Sequence, residues 1–201
     1  MQGIQEYSEP FRRLSMDVKT ESKSPPASGP PWEARSLFDL LSRAAAAYGE
    51  KTALQVSRGG RWTRLSYREL LALAEAWGGQ LAAAGLAPGD RALLVADASP
   101  EWGVAYFALL SQGATAVPLD PQLNAPDIAA LAARTGARVW VLSKTVQERF
   151  EDVGEARLFE VEGFSSAPGD GTQGVTRGEA GESDVASIPF TSGTTLAPKG
   201  V

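Results

Sequence analysis

An α/β fold, with a mixed or parallel sheet flanked by helices, is predicted by three observations. Short apolar segments at Arg91–Ala96, Ala114–Leu119 and Arg138–Leu142 have the length of buried strands. Segments of helical periodicity separate them, and these open on capping signals, Ser99-Pro100 and Asn124. Strands that alternate with helices are joined by crossovers, which argues for β-α-β units and a parallel sheet. The chain of 201 residues is 43% hydrophobic, ample for a packed core.

The elements follow in order. Residues 1–34 are polar, with a Ser- and Pro-rich stretch from Ser22 to Pro31. They bury little apolar surface and are expected to form a disordered tail. From residue 35 the folded part begins. Ser36-Leu37-Phe38-Asp39 opens a helix running to Tyr48, with Gly49 as its stop. Thr52–Ser57 and Arg61–Leu65 read as two strands around Arg58-Gly59-Gly60, a hairpin. Ser66-Tyr67-Arg68-Glu69 is a capping box, and behind it Tyr67, Leu70, Leu71, Ala74, Trp77 and Leu81 share one helical face. Gly85–Asp90 breaks that helix. After the strand Arg91–Ala96, Trp102, Ala105, Tyr106 and Leu109 align on the next one. Asn124–Arg134 forms a further capped helix. Between residues 151 and 184 nine acids face two bases, and six glycines lie from Gly163 to Gly181. This reads as a short strand near Leu158–Val161 followed by a long acidic connection whose carboxylates are solvated.

Composition excludes several chemistries. There is no Cys, so disulfides and thiolates play no part. There is no His either, which removes the common general base and the commonest metal ligand. Any catalysis rests on carboxylates, hydroxyls, Lys, Arg and bound metal. The formal charge is −5, and nothing suggests nucleic acid or an anionic membrane as partner. No stretch reaches the roughly eighteen apolar residues of a transmembrane helix. Arg12-Arg13 is not followed by the apolar segment of an export signal, so the expected location is the cytoplasm.

The last eleven residues carry the chemistry: Thr191-Ser192-Gly193-Thr194-Thr195-Leu196-Ala197-Pro198-Lys199-Gly200-Val201. They follow Val185–Phe190, a short apolar run expected to be a buried strand. Small residues let backbone N–H groups and hydroxyls converge on an oxyanion, and Lys199 adds a point charge. This has the makings of a phosphate cradle. It is not a Walker loop, because five residues separate Gly193 from Lys199, and Gly200-Val201 follow where Ser or Thr is required. The competing reading is a Ser/Thr/Gly turn between two strands, with Pro198 as turn former and Lys199 solvated.

Three segments together resemble the adenylate-forming ligases, the superfamily of acyl-CoA synthetases, nonribosomal adenylation domains and luciferases. Leu65-Ser66-Tyr67-Arg68-Glu69-Leu70 is similar to its first core motif, L-[TS]-Y-x-E-L. Gln112-Gly113-Ala114-Thr115-Ala116-Val117-Pro118-Leu119-Asp120-Pro121 is similar to the second, and the terminal run to the third, [YF]-T-S-G-T-T-G-x-P-K-G. The motifs stand in the family's order between Ser36 and Val201.

The resemblance implies ATP-dependent activation of a carboxylic acid to an acyl-adenylate, after which a thiol such as coenzyme A displaces AMP. Lack of His does not oppose the first step, since a carboxylate is already ionised at neutral pH. By resemblance, Thr191, Ser192, Gly193, Thr194, Thr195, Lys199 and Gly200 bind the ATP phosphates, and Thr191 helps place Mg2+. A Lys about 4 Å from a phosphate charge gains roughly 4 kcal/mol at an effective dielectric near 20, against about 1 kcal/mol in water. The loop is therefore effective only when closed over ATP. Leu196 stands where the family usually has Gly, and costs about 1 kcal/mol or more if that position needs a positive φ. Ser66 with Glu69, and Pro118 with Asp120 and Pro121, are expected to be architectural.

Residues 35–201 thus read as an incomplete N-terminal AMP-binding domain that stops within its phosphate-binding loop, the remainder of the enzyme being absent. The expected function is the N-terminal portion of an AMP-forming acid–CoA ligase, inactive by itself. Its expected partners are a small carboxylic acid, ATP and coenzyme A. Leu119-Asp120-Pro121 followed by helix and strand favours a fatty acid over an amino acid. The alternative is a non-catalytic nucleotide-binding or interaction module of the same fold.

Overall fold

The structure, a computed structural model, describes residues 33–168, 180–191 and 199–200. The tail expected at 1–34 falls almost wholly outside the described residues.

Helix α1 spans Leu37–Tyr48, with Ser36 accepting from the Asp39 N–H as its cap. Strands β1, Thr52–Arg58, and β2, Arg61–Ser66, form the predicted hairpin. Its turn holds Gly59 and Gly60 at φ 56 and 77, a left-handed pair that residues with a Cβ adopt at a cost. Helix α2, Tyr67–Ala83, starts on a complete capping box: Glu69 N–H donates to Ser66 Oγ, and Ser66 N–H donates to the Glu69 carboxylate. Strand β3 is Arg91–Val95, helix α3 Pro100–Ser111, strand β4 Thr115–Pro118, helix α4 Ala125–Thr135 and strand β5 Val139–Leu142. A one-turn helix α5, Lys144–Gln147, leads toward strand β6, Arg157–Glu160, and a 3-10 turn covers Val161–Ser165.

Strands β3 to β6 form one parallel sheet in the order β4-β3-β5-β6. The chain therefore steps outward from β3 to β4, then back past β3 to β5. Right-handed crossovers require the helices of these two steps to lie on opposite faces. The core divides accordingly. Ala92, Leu94, Ala116, Val139 and Val141 point to the face covered by α1, α2 and α3. Leu93, Val95, Val117, Trp140 and Leu142 point to the face covered by α4. The period-2 alternation of each strand thus feeds two separate clusters.

Helix α3 is central, with Val104, Ala105, Ala108 and Leu109 all buried. It crosses α2 closely enough that a Cβ on Gly78 would lie 2.6 Å from Gln112 Nε2 and 3.2 Å from the Ala108 carbonyl. The acidic connection begins with a buried anchor that the sequence pattern did not reveal. Phe164 is fully buried and stacks on Trp77 at 4.1 Å between ring centroids, while Trp77 Nε1–H donates to Ser166 O at 2.8 Å. Past it, residues 169–179 lie outside the described residues. The acids of the connection that are described, Glu151, Asp152, Glu155, Glu160, Glu162, Glu182 and Asp184, are exposed, as expected. Among the described residues no helix is long and apolar enough to cross a membrane.

Candidate functional site

The site is built from the edge of the sheet outward. Val185–Phe190 was expected to be one buried strand; the structure divides it and buries none of its residues, Val185 being 59% exposed. Its first part lies parallel to β4 through a single bridge, Ser187 opposite Ala116. Ala116 N–H donates to Ala186 O at 3.0 Å, Ile188 N–H donates to Ala116 O at 2.9 Å, and Thr115 Oγ1 donates to Val185 O at 2.6 Å. Pro189 then interrupts, having no N–H to continue a ladder. Its second part is β7, Phe190–Thr191, which pairs antiparallel with β8, Lys199–Gly200.

This pairing sets Thr191 opposite Lys199, and Phe190 opposite Gly200. Gly200 is explained by the packing, since a Cβ there would meet Ile188 Cγ2 at 3.0 Å and the Phe190 ring at 3.5 Å. Ile188 and Phe190 pack on the α4 side of the sheet, and the Arg134 guanidinium lies 5.8 Å from the Phe190 ring centroid. The edge segment runs parallel to β4, so β7 leaves toward the carboxyl ends of the strands. Open α/β sheets bind ligands at that end.

Of the predicted phosphate-binding residues, the backbones of Thr191, Lys199 and Gly200 are brought together. Ser192, Gly193, Thr194 and Thr195 lie outside the described residues, as does Leu196. Seven residues, Ser192–Pro198, join two paired strand ends. For a metal the structure offers no further support: among the described residues no cluster of three acidic, His or Cys side chains exists.

The two other motifs are architectural, as expected. Ser66 and Glu69 cap α2. Beyond β4, Asp120 Oδ1 accepts from Gln122 N–H at 2.8 Å, and Arg149 Nη1 donates to the carbonyls of Pro121 and Leu123 at 2.7 and 3.1 Å. The motif-two turn is thus tied down by an arginine almost thirty residues later.

One buried charge escaped the sequence reading. Glu101, in the first turn of α3, is 4% exposed. Arg58 at the hairpin tip grips it with two parallel bonds, Nη1 to Oε1 at 3.0 Å and Nη2 to Oε2 at 2.9 Å. Burial pushes this carboxyl up, but the Arg58 fork, its own backbone N–H and Ser99 together bring it below its ordinary value of 4.5. A carboxyl lowered on folding stabilises the fold above its unfolded pKa, and that contribution is lost as pH falls through the folded value. Breaking a buried pair costs about 3–5 kcal/mol, and the exposed side of Arg58, 57% accessible, reduces this. Glu101→Gln is expected to cost about 1–2 kcal/mol at neutral pH in urea unfolding. The gap from the parent chain should narrow below pH 4.5; a gap independent of pH would deny the ion pair its role.

A family model described as AMP-binding enzyme matches residues 41–201. Phosphinothricin tripeptide synthetase PhsC of Streptomyces viridochromogenes is 29% identical over 178 residues, covering 88% of this chain and 16% of its own length. The fatty acid AMP ligase of Legionella pneumophila superposes with a TM-score of 0.73 at 22% identity, covering 85% of this chain and 30% of that one. The N-terminal subdomain of Klebsiella oxytoca NpsA, in complex with 3-hydroxyanthranilyl-AMSN, superposes with a TM-score of 0.70 at 22% identity, covering 85% and 41%. The solved structures share the fold, and the chain spans a minor part of each of these proteins.

Proposed function

This chain belongs to the family of AMP-binding, adenylate-forming enzymes, and from that premise we propose that it supplies the phosphate-binding hairpin of an ATP-dependent ligase. The observation that carries this reading is the antiparallel pairing of Thr191 with Lys199 at the root of the Ser/Thr/Gly run. In it, Thr191, Ser192, Gly193, Thr194, Thr195, Lys199 and Gly200 hold the ATP phosphates, and the Thr191 hydroxyl contributes to a Mg2+ site. When bound, ATP would supply the adenylyl group, its α-phosphorus taking the carboxylate oxygen as pyrophosphate leaves. What the chain's own residues do is neutralise and align it, the two demands of attack by an already ionised carboxylate.

The acid and its acceptor are the finer part of the proposal. The sequence pattern favoured a fatty acid passed to coenzyme A. The likeness to PhsC, a tripeptide synthetase, favours an amino acid instead, and two further relatives are nonribosomal peptide synthetases. Activation of an amino-acid-type carboxylate is therefore the reading we adopt. The fatty acid remains the second, supported by the fold likeness to a fatty acid AMP ligase.

The test is ATP·Mg2+ binding by equilibrium dialysis. Lys199→Ala is expected to weaken it by about 1.5–3 kcal/mol, the range for charge-assisted contacts. An affinity unchanged by that substitution, or no binding by the parent chain, would remove the phosphate cradle from the proposal.

A further inference from the structure

The β1–β2 hairpin carries a charge pattern that the rest of the molecule does not share. Residues 51–68 hold five bases, Lys51, Arg58, Arg61, Arg64 and Arg68, and no acid, within a chain of formal charge −5. Two of the five are engaged: Arg58 with Glu101, and Arg68 with Glu50. Lys51 lies over the Tyr48 ring at 5.4 Å. Arg61 and Arg64 are exposed, and among the described residues neither has a carboxylate within salt-bridge reach.

The register sorts the hairpin's side chains. Val56 opposite Thr63 and Leu54 opposite Leu65 face the body of the protein. Gln55 opposite Arg64, and Ser57 opposite Trp62, face outward and are exposed, while Arg61, opposite Arg58, falls on the other side of its strand and is likewise exposed. Trp62 is 44% exposed, a large ring on a surface face. Strands β1 and β2 pair only with each other, so the outer edges of this small sheet join no further strand among the described residues.

We propose that this hairpin is a docking surface for an acidic, extended protein segment that adds a strand to its edge. The free edge supplies backbone donors and acceptors, as strand addition requires. Trp62 supplies an apolar anchor with a polar tip, the type of residue that dominates interface energetics. Unpaired Arg61 and Arg64 select carboxylates on the incoming strand by charge complementarity. A peptide meets all three features at once. Nucleic acid has no use for a strand edge, and two unpaired arginines are few against a phosphate backbone. One aromatic ring is likewise a small anchor for a lipid surface.

The probe is a dye-labelled peptide repeating Glu-Glu-Val-Val, which as a strand presents both residue types on each face, titrated by fluorescence anisotropy at low and at physiological ionic strength. Binding is expected to weaken with salt. It should fall about tenfold or more in Arg61→Glu/Arg64→Glu, and by a similar factor in Trp62→Ala. Replacing the peptide's Val residues by Pro, which removes N–H groups, should abolish it. These residues are exposed, so thermal melts of the variants should match the parent chain. The inference is overturned if the parent chain does not bind the peptide or if the double variant binds it equally. It is also overturned if the Pro peptide binds as well, or if a single-stranded oligonucleotide or anionic vesicles bind more tightly.

Discussion

Replacing Phe164 by Ala is expected to destabilise the fold by about 3–5 kcal/mol, the range for deleting a buried aromatic ring. Phe164 is fully accounted for by packing: it has no exposed surface, belongs to the larger core cluster and stacks on Trp77. The loss has two parts, the transfer free energy of the ring and the cavity left where a helix cannot collapse onto it. Urea unfolding should report the drop as a lower midpoint at nearly unchanged slope. Trp77 supplies a local reporter, since losing its stacking partner should move its emission toward that of a solvated indole. Phe164→Leu, which keeps most of the volume, should cost well under half as much. A loss below about 1 kcal/mol for the Ala variant would mean that the 3-10 turn rests on the core without being part of it.

Gly78→Val is expected to cost about 3 kcal/mol, by the opposite mechanism. Here the fault is too much volume. The added Cβ would meet Ser111 Oγ, Gln112 Nε2 and, at 3.2 Å, the backbone carbonyl of Ala108. Two of these belong to the buried pair in which Gln112 Nε2 donates to Ser111 Oγ at 3.0 Å, so the side chains have little freedom to retreat. Helices α2 and α3 must then separate, and overpacking of this kind typically costs about 1–3 kcal/mol or more. Even Gly78→Ala, which recovers roughly 1 kcal/mol of helix propensity, should be a net loss. Gly103 gives the contrast. A Cβ there would meet only the tip of Leu54, at 2.5 Å from Cδ1, and a side-chain end can rotate away. Gly103→Ala should therefore cost less than Gly78→Ala in parallel thermal melts, and the reverse order would discount the close crossing.

The parts of this architecture that were legible in the sequence are those written locally. Ser36, Ser66, Ser99 and Asn124 each announced a helix start, and each accepts from a backbone N–H of the first turn. The glycine pair marked the hairpin, and apolar runs marked β3, β4 and β5. What stayed hidden depends on residues far apart in sequence. Nothing near Glu101 indicates that Arg58, forty-three positions earlier, would neutralise it. Nothing near Phe164 points to Trp77. The edge segment misled for a different reason: Val185–Phe190 is apolar like a strand, but Pro189 limits how far the ladder can run. At the candidate site, the motif nominated the residues, and the pairing of their flanks required the fold.

That edge segment bears on how the molecule breathes. Two backbone hydrogen bonds and one hydroxyl fasten it to β4 across some seventy residues of chain, whereas β3 is laddered on both sides. Elements with so few fastenings open at a small fraction of the global unfolding free energy, as separate cooperative units. The Ile188 amide should therefore exchange with solvent deuterium long before those of Leu93 or Val141. The edge segment can detach from β4 while the central strands stay protected.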